Sequence, residues 1–527
     1  MRSLFIYAGV ALYYASASYA QIPGKPPEKV REKSKTLPAR PALERRDAET
    51  FAAQLSEVVR AAEDKYVRPI PRDTLTTAAL RGLYEAAGTK PPATLAADAQ
   101  KASQNQNRLV TFIADVREKL GNPESLQGDK ALRASLRALV KSLDSYSDVL
   151  VGERSQKVEY VRGVGLELDR SAGNDALVVK SVTLGGPAQQ AGLRPGDQVT
   201  HIDGRPAANH QVASGINLDE DQLQLTVHRQ GTKASLELTL KPQNFRPETV
   251  LGAARRSDNA WEYFIDHERR IGLVRLGALE SGSSDELEEV VSTLQEAGLK
   301  ALILDLRWCP GGYLDDARAI TEAFLGEYSL PYFMFPTPAN FLAQADVYLD
   351  THINNAVVRY RADPRTNESR PDVWQKHATR SFVNFPIVVL INGETTGGGE
   401  LIAAVLQDNR RAAILGQRSR GKGSVQTFID VPIPGTRLKL TNGYLIRPSG
   451  KNLHRFPNSK LADDWGVRPD RELEFRVSPE LGGKLREWWI LVNLRPGSSN
   501  ESLPLDDPDA DPQRQAAVKF LQRILAN

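Results

Sequence analysis

Apolar residues recur at helical spacing along the first third of the chain. In "ETFAAQLSEVVRAAEDKY", Phe51, Leu55, Val58 and Val59 share one face, the stripe that an amphipathic helix buries. "DTLTTAALRGLYEAAG" predicts a second helix, opening at an Asp73 N-cap and closing at Gly88. "NRLVTFIADVREKLG" and "KALRASLRALVKSL" predict two more. From Tyr160 the period falls to two. "GVGLEL", "ALVVKSVTLG", "DQVTHIDG" and "LQLTVHRQGTKASLELTL" read as short strands between Gly, Pro and Asp, with a hairpin at Gln230-Gly231. From Phe245 strands alternate with helices. "IGLVRLG", "KALILDLR" and "FPIVVLIN" read as strands, the second apolar on both faces. "SSDELEEVVSTLQEAG", "LDDARAITEAFLG" and "GELIAAVLQDNRR" read as helices, the first with a capping box from Ser283 to Glu286. This alternation predicts an α/β domain with a largely parallel sheet. The C-terminal "DPDADPQRQAAVKFLQRILAN" predicts a loop and an amphipathic helix that docks on the core or meets a partner.

Composition narrows the function classes. The chain has 527 residues, 41% hydrophobic and 25% charged, with a net charge of +3. That charge is too weak to point to nucleic acid or an anionic membrane surface. Residues 1–20 read as a signal peptide: Arg2, an apolar run from Leu4 to Ala15, then small residues before a cut after Ala20. Residues 21–47 are a proline-rich, charged linker. No later run reaches the roughly 20 apolar residues of a membrane span. The expectation is therefore an exported protein, periplasmic or extracellular, with no membrane span once the signal is removed. The single cysteine, Cys309, excludes an intramolecular disulfide and reads as a small buried apolar residue. The seven histidines form no close pair and no H-E-x-x-H, so no metal or other cofactor is implied, and a metal- or carbohydrate-binding envelope protein has little support.

"RGVGLELDRSAGNDALVVKSVTLGGPAQQAGLRPGDQVTHIDG" (Arg162 to Gly204) resembles a PDZ domain. The resemblance implies that the loop Gly163, Val164, Gly165 and Leu166 offers backbone N–H groups to a peptide C-terminal carboxylate, and that the peptide adds a strand to the sheet. The stretch between "IDG" and "LQLTV", where PDZ domains carry a helix, is interrupted by Gly215 and predicts only a short one.

Three further blocks resemble the C-terminal processing (tail-specific) serine protease family. They are "GLKALILDLRWCPGGYLDDA", "FPIVVLINGETTGGGELIAAVLQDNRRAAILGQRSRGKGSVQ" and "LKLTNGYLIRPSGKNLHRFPNSKLADDWGVRPD". "SLDSYSDVL" (Ser142 to Leu150) is similar to the family's segment before its PDZ domain. The implied fold is multidomain α/β: a helical region at 48–158, a PDZ domain at 159–242, a peptidase core at 245–480 and a C-terminal extension with a helix at 481–527. Two apparent insertions interrupt the resemblance, one among the N-terminal helices and one at about 331–379. The resemblance implies protein or peptide substrates; it leaves the oligomeric state open.

The family's mechanism pairs a serine with a neutral lysine that takes its proton. Carried over residue by residue, the lysine is Lys422 and its orienting glutamine is Gln426, which share a face if this stretch is a helical turn. The ordering aspartate is Asp408, and the oxyanion-side glycines are Gly311 and Gly312 after Pro310. The serine falls on Gly397, 25 residues before Lys422 and 11 before Asp408. Glycine cannot attack. Three readings are open: a nucleophile displaced to Thr396, about 3.8 Å along the chain; a pseudoprotease that keeps the cleft without the chemistry; or another nucleophile, Cys309 or Ser424.

Overall fold

A computed structural model describes residues 41–151, 161–170, 177–207, 222–232, 234–256, 260–325, 334–335, 347–353, 356–363, 368–376, 381–494 and 510–527. The signal peptide, most of the linker, and the stretch expected to hold the short PDZ helix lie outside the described residues.

Five helices open the described chain: Arg45–Lys65, Arg72–Ala86, Leu95–Ala102, Gln106–Lys119 and Lys130–Lys141. Phe51, Leu55, Val58 and Val59 are buried together, as their spacing requires. The second helix starts one residue before the expected cap. Pro71 is its N-cap and Asp73 lies inside the first turn. Its last residue is Ala86, so Gly88 lies beyond the end. This helical core is shared with a three-stranded sheet in which Thr436–Tyr444 runs between Asp148–Val151 and Ser424–Asp430. Leu438, Leu440 and Ile429 of that sheet pack among the helices. The N-terminal region is thereby bonded to the chain that carries Lys422.

The PDZ sheet runs Leu166–Arg170, Leu177–Val182, Gln198–Ile202, Leu223–His228, Leu236–Leu240, all antiparallel. The hairpin between the last two turns at Gln230-Gly231. The preceding strand, Val161–Gly163, pairs with Gln243–Phe245 and ties entry to exit.

The α/β region that follows is three layers. Ile271–Leu276, Ala301–Asp305, Ile387–Ile391 and Ala412–Gly416 pair in parallel, with Val250–Leu251 and Phe264–Asp266 antiparallel on Ile271–Leu276. Alternate residues serve opposite faces. Leu302, Leu304, Val389 and Ile391 pack on Ser283–Glu296, Leu314–Leu325 and Gly398–Asp408. Ile303, Val388 and Leu390 pack on Trp488, Trp489, Ala517 and Leu521 of Pro479–Leu494 and Pro512–Ala526. A parallel sheet needs both faces covered, and the C-terminal extension supplies the second cover.

The capping box expected at Ser283 does not form. Gly282 is the N-cap, the Ser283 hydroxyl accepts from the Glu280 N–H at 2.8 Å, and the Glu286 carboxylate accepts from the Thr249 N–H and hydroxyl instead. Tertiary partners outbid the local pair. Within the 331–379 insertion, Met334–Phe335, Val347–Ile353, Ala356–Asp363 and Glu368–Lys376 form an antiparallel sheet. Among the described residues no helix is long and apolar enough to cross a membrane.

Candidate active site

The strand Ile387–Ile391 ends in a turn that delivers Gly397 to the N-terminus of the helix Gly398–Asp408. Gly397 has φ 55° and ψ −117°, the sharp strand-to-helix bend on which nucleophile elbows present a side chain. The bend is fixed before any chemistry is considered. The Thr395 hydroxyl, fully buried, donates to the Leu306 carbonyl at 2.8 Å and accepts from the Asn392 N–H at 3.0 Å. The Asn392 side chain accepts from the Trp308 and Glu394 N–H groups. Thr396 donates its N–H to the Cys309 carbonyl at 3.0 Å and is itself buried.

The loop Pro310-Gly311-Gly312 lies against this turn. A Cβ on Gly311 would stand 2.7 Å from the Thr396 carbonyl oxygen, so only glycine lets the two backbones approach. The Gly311 N–H bonds to the Cys309 thiol, and burial pushes that thiol up to about 11. Cys309 is therefore a protonated, enclosed thiol at neutral pH, and it packs against Gly399.

Glu400 joins the turn to the lysine loop. Its carboxylate, fully buried, accepts from the Gly397 N–H at 3.1 Å, the Ser419 hydroxyl at 2.5 Å, the Gly421 N–H at 2.6 Å and the Lys422 N–H at 2.7 Å. Burial pushes this carboxyl up to about 7 against the pull of those four donors. One side chain thus fixes both the sharp bend at Gly397 and the backbone of Lys422. Sequence reasoning alone assigns Glu400 no role. Its signal was the acidic residue three positions past the elbow, the place from which a capping carboxylate reaches back to the N-cap N–H.

Lys422 is half-buried. Burial, then the neighbouring Lys439, lower its affinity for a proton; Arg420 acts the same way and Glu400 opposes them. Its Nζ lies 5.7 Å from the centre of the Tyr146 ring. Gln426 is on the strand Ser424–Asp430, not on a helical turn, because residues 424–430 pair in register with 436–444. Strand alternation, interrupted by a bulge at Val425/Gln426, decides its direction instead. The Gln426 amide donates to the Ser424 hydroxyl at 2.9 Å, which occupies that hydroxyl. Asp408 closes the far end of the Gly398–Asp408 helix, roughly 15 Å along its axis from Gly397. Burial alone would raise its carboxyl, but two bonds from Arg447, at 2.6 and 3.0 Å, and one from the Ser449 N–H hold it below the ordinary range. Asp408 braces the helix and does not touch the reacting end.

In the PDZ domain, the Val164 and Gly165 carbonyls accept from the Ala188 and Thr183 N–H groups, and Val164 is buried. The Phe245 ring sits beneath Gly165 and Gly186. Leu166 begins the strand paired with Val182. The loop Gly163–Leu166 is thus framed on both sides by the domain.

Comparison with known proteins decides what this assembly is. Residues 270–473 match peptidase family S41 and residues 155–227 match the PDZ domain. The chain carries an S41 peptidase core behind a PDZ domain. A carboxy-terminal-processing protease of Bartonella bacilliformis is 25% identical over 445 residues, 80% of this chain and 89% of that one. A CtpA-like serine protease of Staphylococcus aureus (strain bovine RF122 / ET3-1) is 26% identical over 346 residues. That match takes in 65% of this chain and 60% of the relative's length. Among solved structures, a photosystem II D1 C-terminal processing protease aligns with 82% of this chain and 94% of its own, at 20% identity and a TM-score of 0.39. Carboxy-terminal-processing proteases are thus among the proteins this chain is similar to, and the S41 match takes in the elbow, Glu400 and Lys422 together.

Proposed function

We propose that this chain binds extended segments of exported proteins in its S41 cleft without cutting them, as a scaffold or regulator in the periplasmic or extracellular space. The observation that carries this reading is the backbone at Gly397. The elbow that should present a nucleophile is intact, and it presents a hydrogen atom. The four-residue loop from Gly163 to Leu166 would receive the C-terminal carboxylate of the bound segment through backbone N–H groups. The leader-like residues 1–20 support export.

A second reading has its own support. Lys422 is retained, half-buried and disposed to be neutral, the state a general base requires. In that reading the Thr396 hydroxyl attacks the scissile carbonyl, and its proton passes to Lys422 and on to the leaving amine. The preceding Thr396 geometry, buried with its N–H committed to Cys309, favours the first reading.

Proteolysis of an unfolded protein separates them. The proposal expects no cleavage by the wild type and a Lys422-dependent trace from Gly397→Ser. Cleavage by the wild type that disappears in both Thr396→Ala and Lys422→Ala overturns it in favour of Thr396.

A further inference from the structure

The segment that precedes the PDZ domain returns to the cleft. Tyr146 lies in "SLDSYSDVL", and its ring stands 5.7 Å from the Lys422 amine. We propose that Tyr146 is a positioning residue: its ring, delivered from the N-terminal region and locked by His454, is the wall that shields the Lys422 amine from water. The inference goes beyond the question of cutting, because it is read at Lys422 itself and stands whether or not the elbow has a nucleophile.

Three observations make the wall a built one. First, Tyr146 is pinned from below. The Asp144 carboxylate accepts from the Tyr146 N–H at 2.6 Å, the Ser147 N–H at 2.8 Å and the Ser147 hydroxyl at 3.1 Å, an Asx-type turn that fixes the local backbone. The Ser147 hydroxyl also accepts from the Thr441 N–H, and Asp148–Val151 pairs with Thr436–Tyr444. Second, the ring is held from the side. The edge-on His454 ring lies at 5.6 Å, and His454 is itself packed by Tyr444 and Phe456, each at 4.8 Å. His454 is buried, with no hydrogen-bond partner for Nδ1 among the described residues. Burial lowers it to about 4, so it contributes a neutral ring near neutral pH. Third, the segment that holds the ring also holds the lysine loop. Arg455 donates its N–H to the Gly421 carbonyl at 2.8 Å. Gly423 lies so close that a Cβ there would stand 2.6 Å from the His454 backbone nitrogen.

The charges facing this corner are few and mostly of one sign. Lys439, Arg420 and Glu400 act on Lys422; Arg420, Arg455, Glu400 and Asp144 act on Tyr146; Asp144 and Arg68 act on His454. The two carboxylates are already occupied, Glu400 by four donors and Asp144 by three. At 5.7 Å the ring face offers an ammonium a weak cation–π attraction, but the same ring excludes water from the amine; dehydration costs the charged state more than the neutral one, and the wall acts through that second effect.

The test is pH-dependent acetylation of the full chain by trace acetic anhydride, with each lysine read by peptide mass spectrometry. Only neutral amines react, so the pH at which labelling rises reports the proton affinity of each site. Exposed Lys460 is the internal reference. The wild type is expected to label Lys422 at lower pH than Lys460. Tyr146→Phe and His454→Phe keep that profile. Tyr146→Ala moves the Lys422 rise to higher pH, with its labelling at mildly alkaline pH falling several-fold relative to Lys460. Tyr146→Leu, which keeps apolar bulk for the fold, gives a smaller move in the same direction. A Lys422 midpoint that is unchanged or moves to lower pH in Tyr146→Leu or Tyr146→Ala overturns the proposal, the second by showing that the ring acts through cation–π attraction. So does a Tyr146→Phe profile that matches Tyr146→Ala, which would assign the effect to the hydroxyl.

Discussion

A Cβ on Gly312 would stand 1.9 Å from the Leu279 carbonyl oxygen, whereas a Cβ on Gly397 would meet nothing closer than 3.9 Å. Both glycines have positive φ, both lie on loops that form the site, and the two loops touch. Only the first is compelled by its surroundings. Gly312 bridges to Leu279, whose N–H donates to the Gly311 carbonyl and whose carbonyl accepts from the Tyr313 N–H. Gly397 has room for a side chain and a backbone shaped to present one. The lack of a side chain at position 397 is therefore not a requirement of packing. The turn keeps its shape without a side chain at 397 because Thr395, Asn392 and Glu400 hold it from behind.

The contrast is broken most severely at Gly312. Gly312→Ala drives a methyl group into backbone that cannot yield, and about 4 kcal/mol or more of stability should be lost. Denaturant unfolding measures this, and a loss under 1 kcal/mol would mean that the loop is free to move. Slightly smaller is the effect at the root of the same loop. Buried Arg307 pairs with Asp305 on the sheet and with Asp511 before the last helix, each with oxygens at 2.7–2.8 Å. Asp511→Ala leaves the guanidinium half-paired and removes the cap that accepts from the Arg514 N–H. The expected cost is about 3–4 kcal/mol, and exchange of the Pro512–Ala526 amides should accelerate first.

Glu400 sharpens the comparison through pH. Its folded carboxyl titrates at about 7 against an ordinary 4.5. The native state thus holds a proton that the unfolded chain has released, and the stability this contributes is full below pH 4.5 and lost as pH rises to about 7. The loss is on the order of 3 kcal/mol. Glu400→Gln, which cannot titrate, should flatten that part of the stability curve. The same variant loosens Gly397 and Lys422 from each other, since an amide oxygen cannot receive all four donors. Parallel pH slopes for wild type and variant would show that the carboxyl is ionised throughout.

Much of this was legible in the chain, for physical reasons that differ by element. The strands Ala301–Asp305 and Ile387–Ile391 were readable because both faces are apolar, and a parallel sheet covered by helices demands that. The PDZ strands were readable from period-two alternation and Gly-Pro-Asp turns. The position of Gly397 followed from counting along matched motifs, yet its bond geometry did not, because φ and ψ are invisible in a run of three glycines. Ser283 misled because capping patterns describe local options, whereas Thr249 offered Glu286 a better one; the helix expected to open at Asp73 begins one residue earlier, with no side-chain cap at Pro71. The conditional helical turn at Lys422 failed for a related reason: the cross-strand partners of residues 424–430 lie at 436–444. Tyr146 lies in a recognisable segment, yet nothing in sequence places residue 146 beside residue 422.

The mildest change tests the contrast most directly. Gly397→Ala adds a methyl group with only ordinary contacts, to Gly311 Cα and the Pro310 carbonyl oxygen. Its cost is a side chain forced into the sparsely populated backbone region at φ 55°, ψ −117°, on the order of 1–3 kcal/mol. Thermal unfolding should show a small fall in Tm and an otherwise wild-type transition. At the adjacent Gly398, a Cβ would stand 2.5 Å from Leu279 Cδ1, so Gly398→Ala should cost more than Gly397→Ala despite its ordinary helical backbone. If the order is reversed, strain at the elbow exceeds the packing clash one residue later. Position 397 would then be closed to any side chain, and restoring a serine there would unfold the turn instead of arming it.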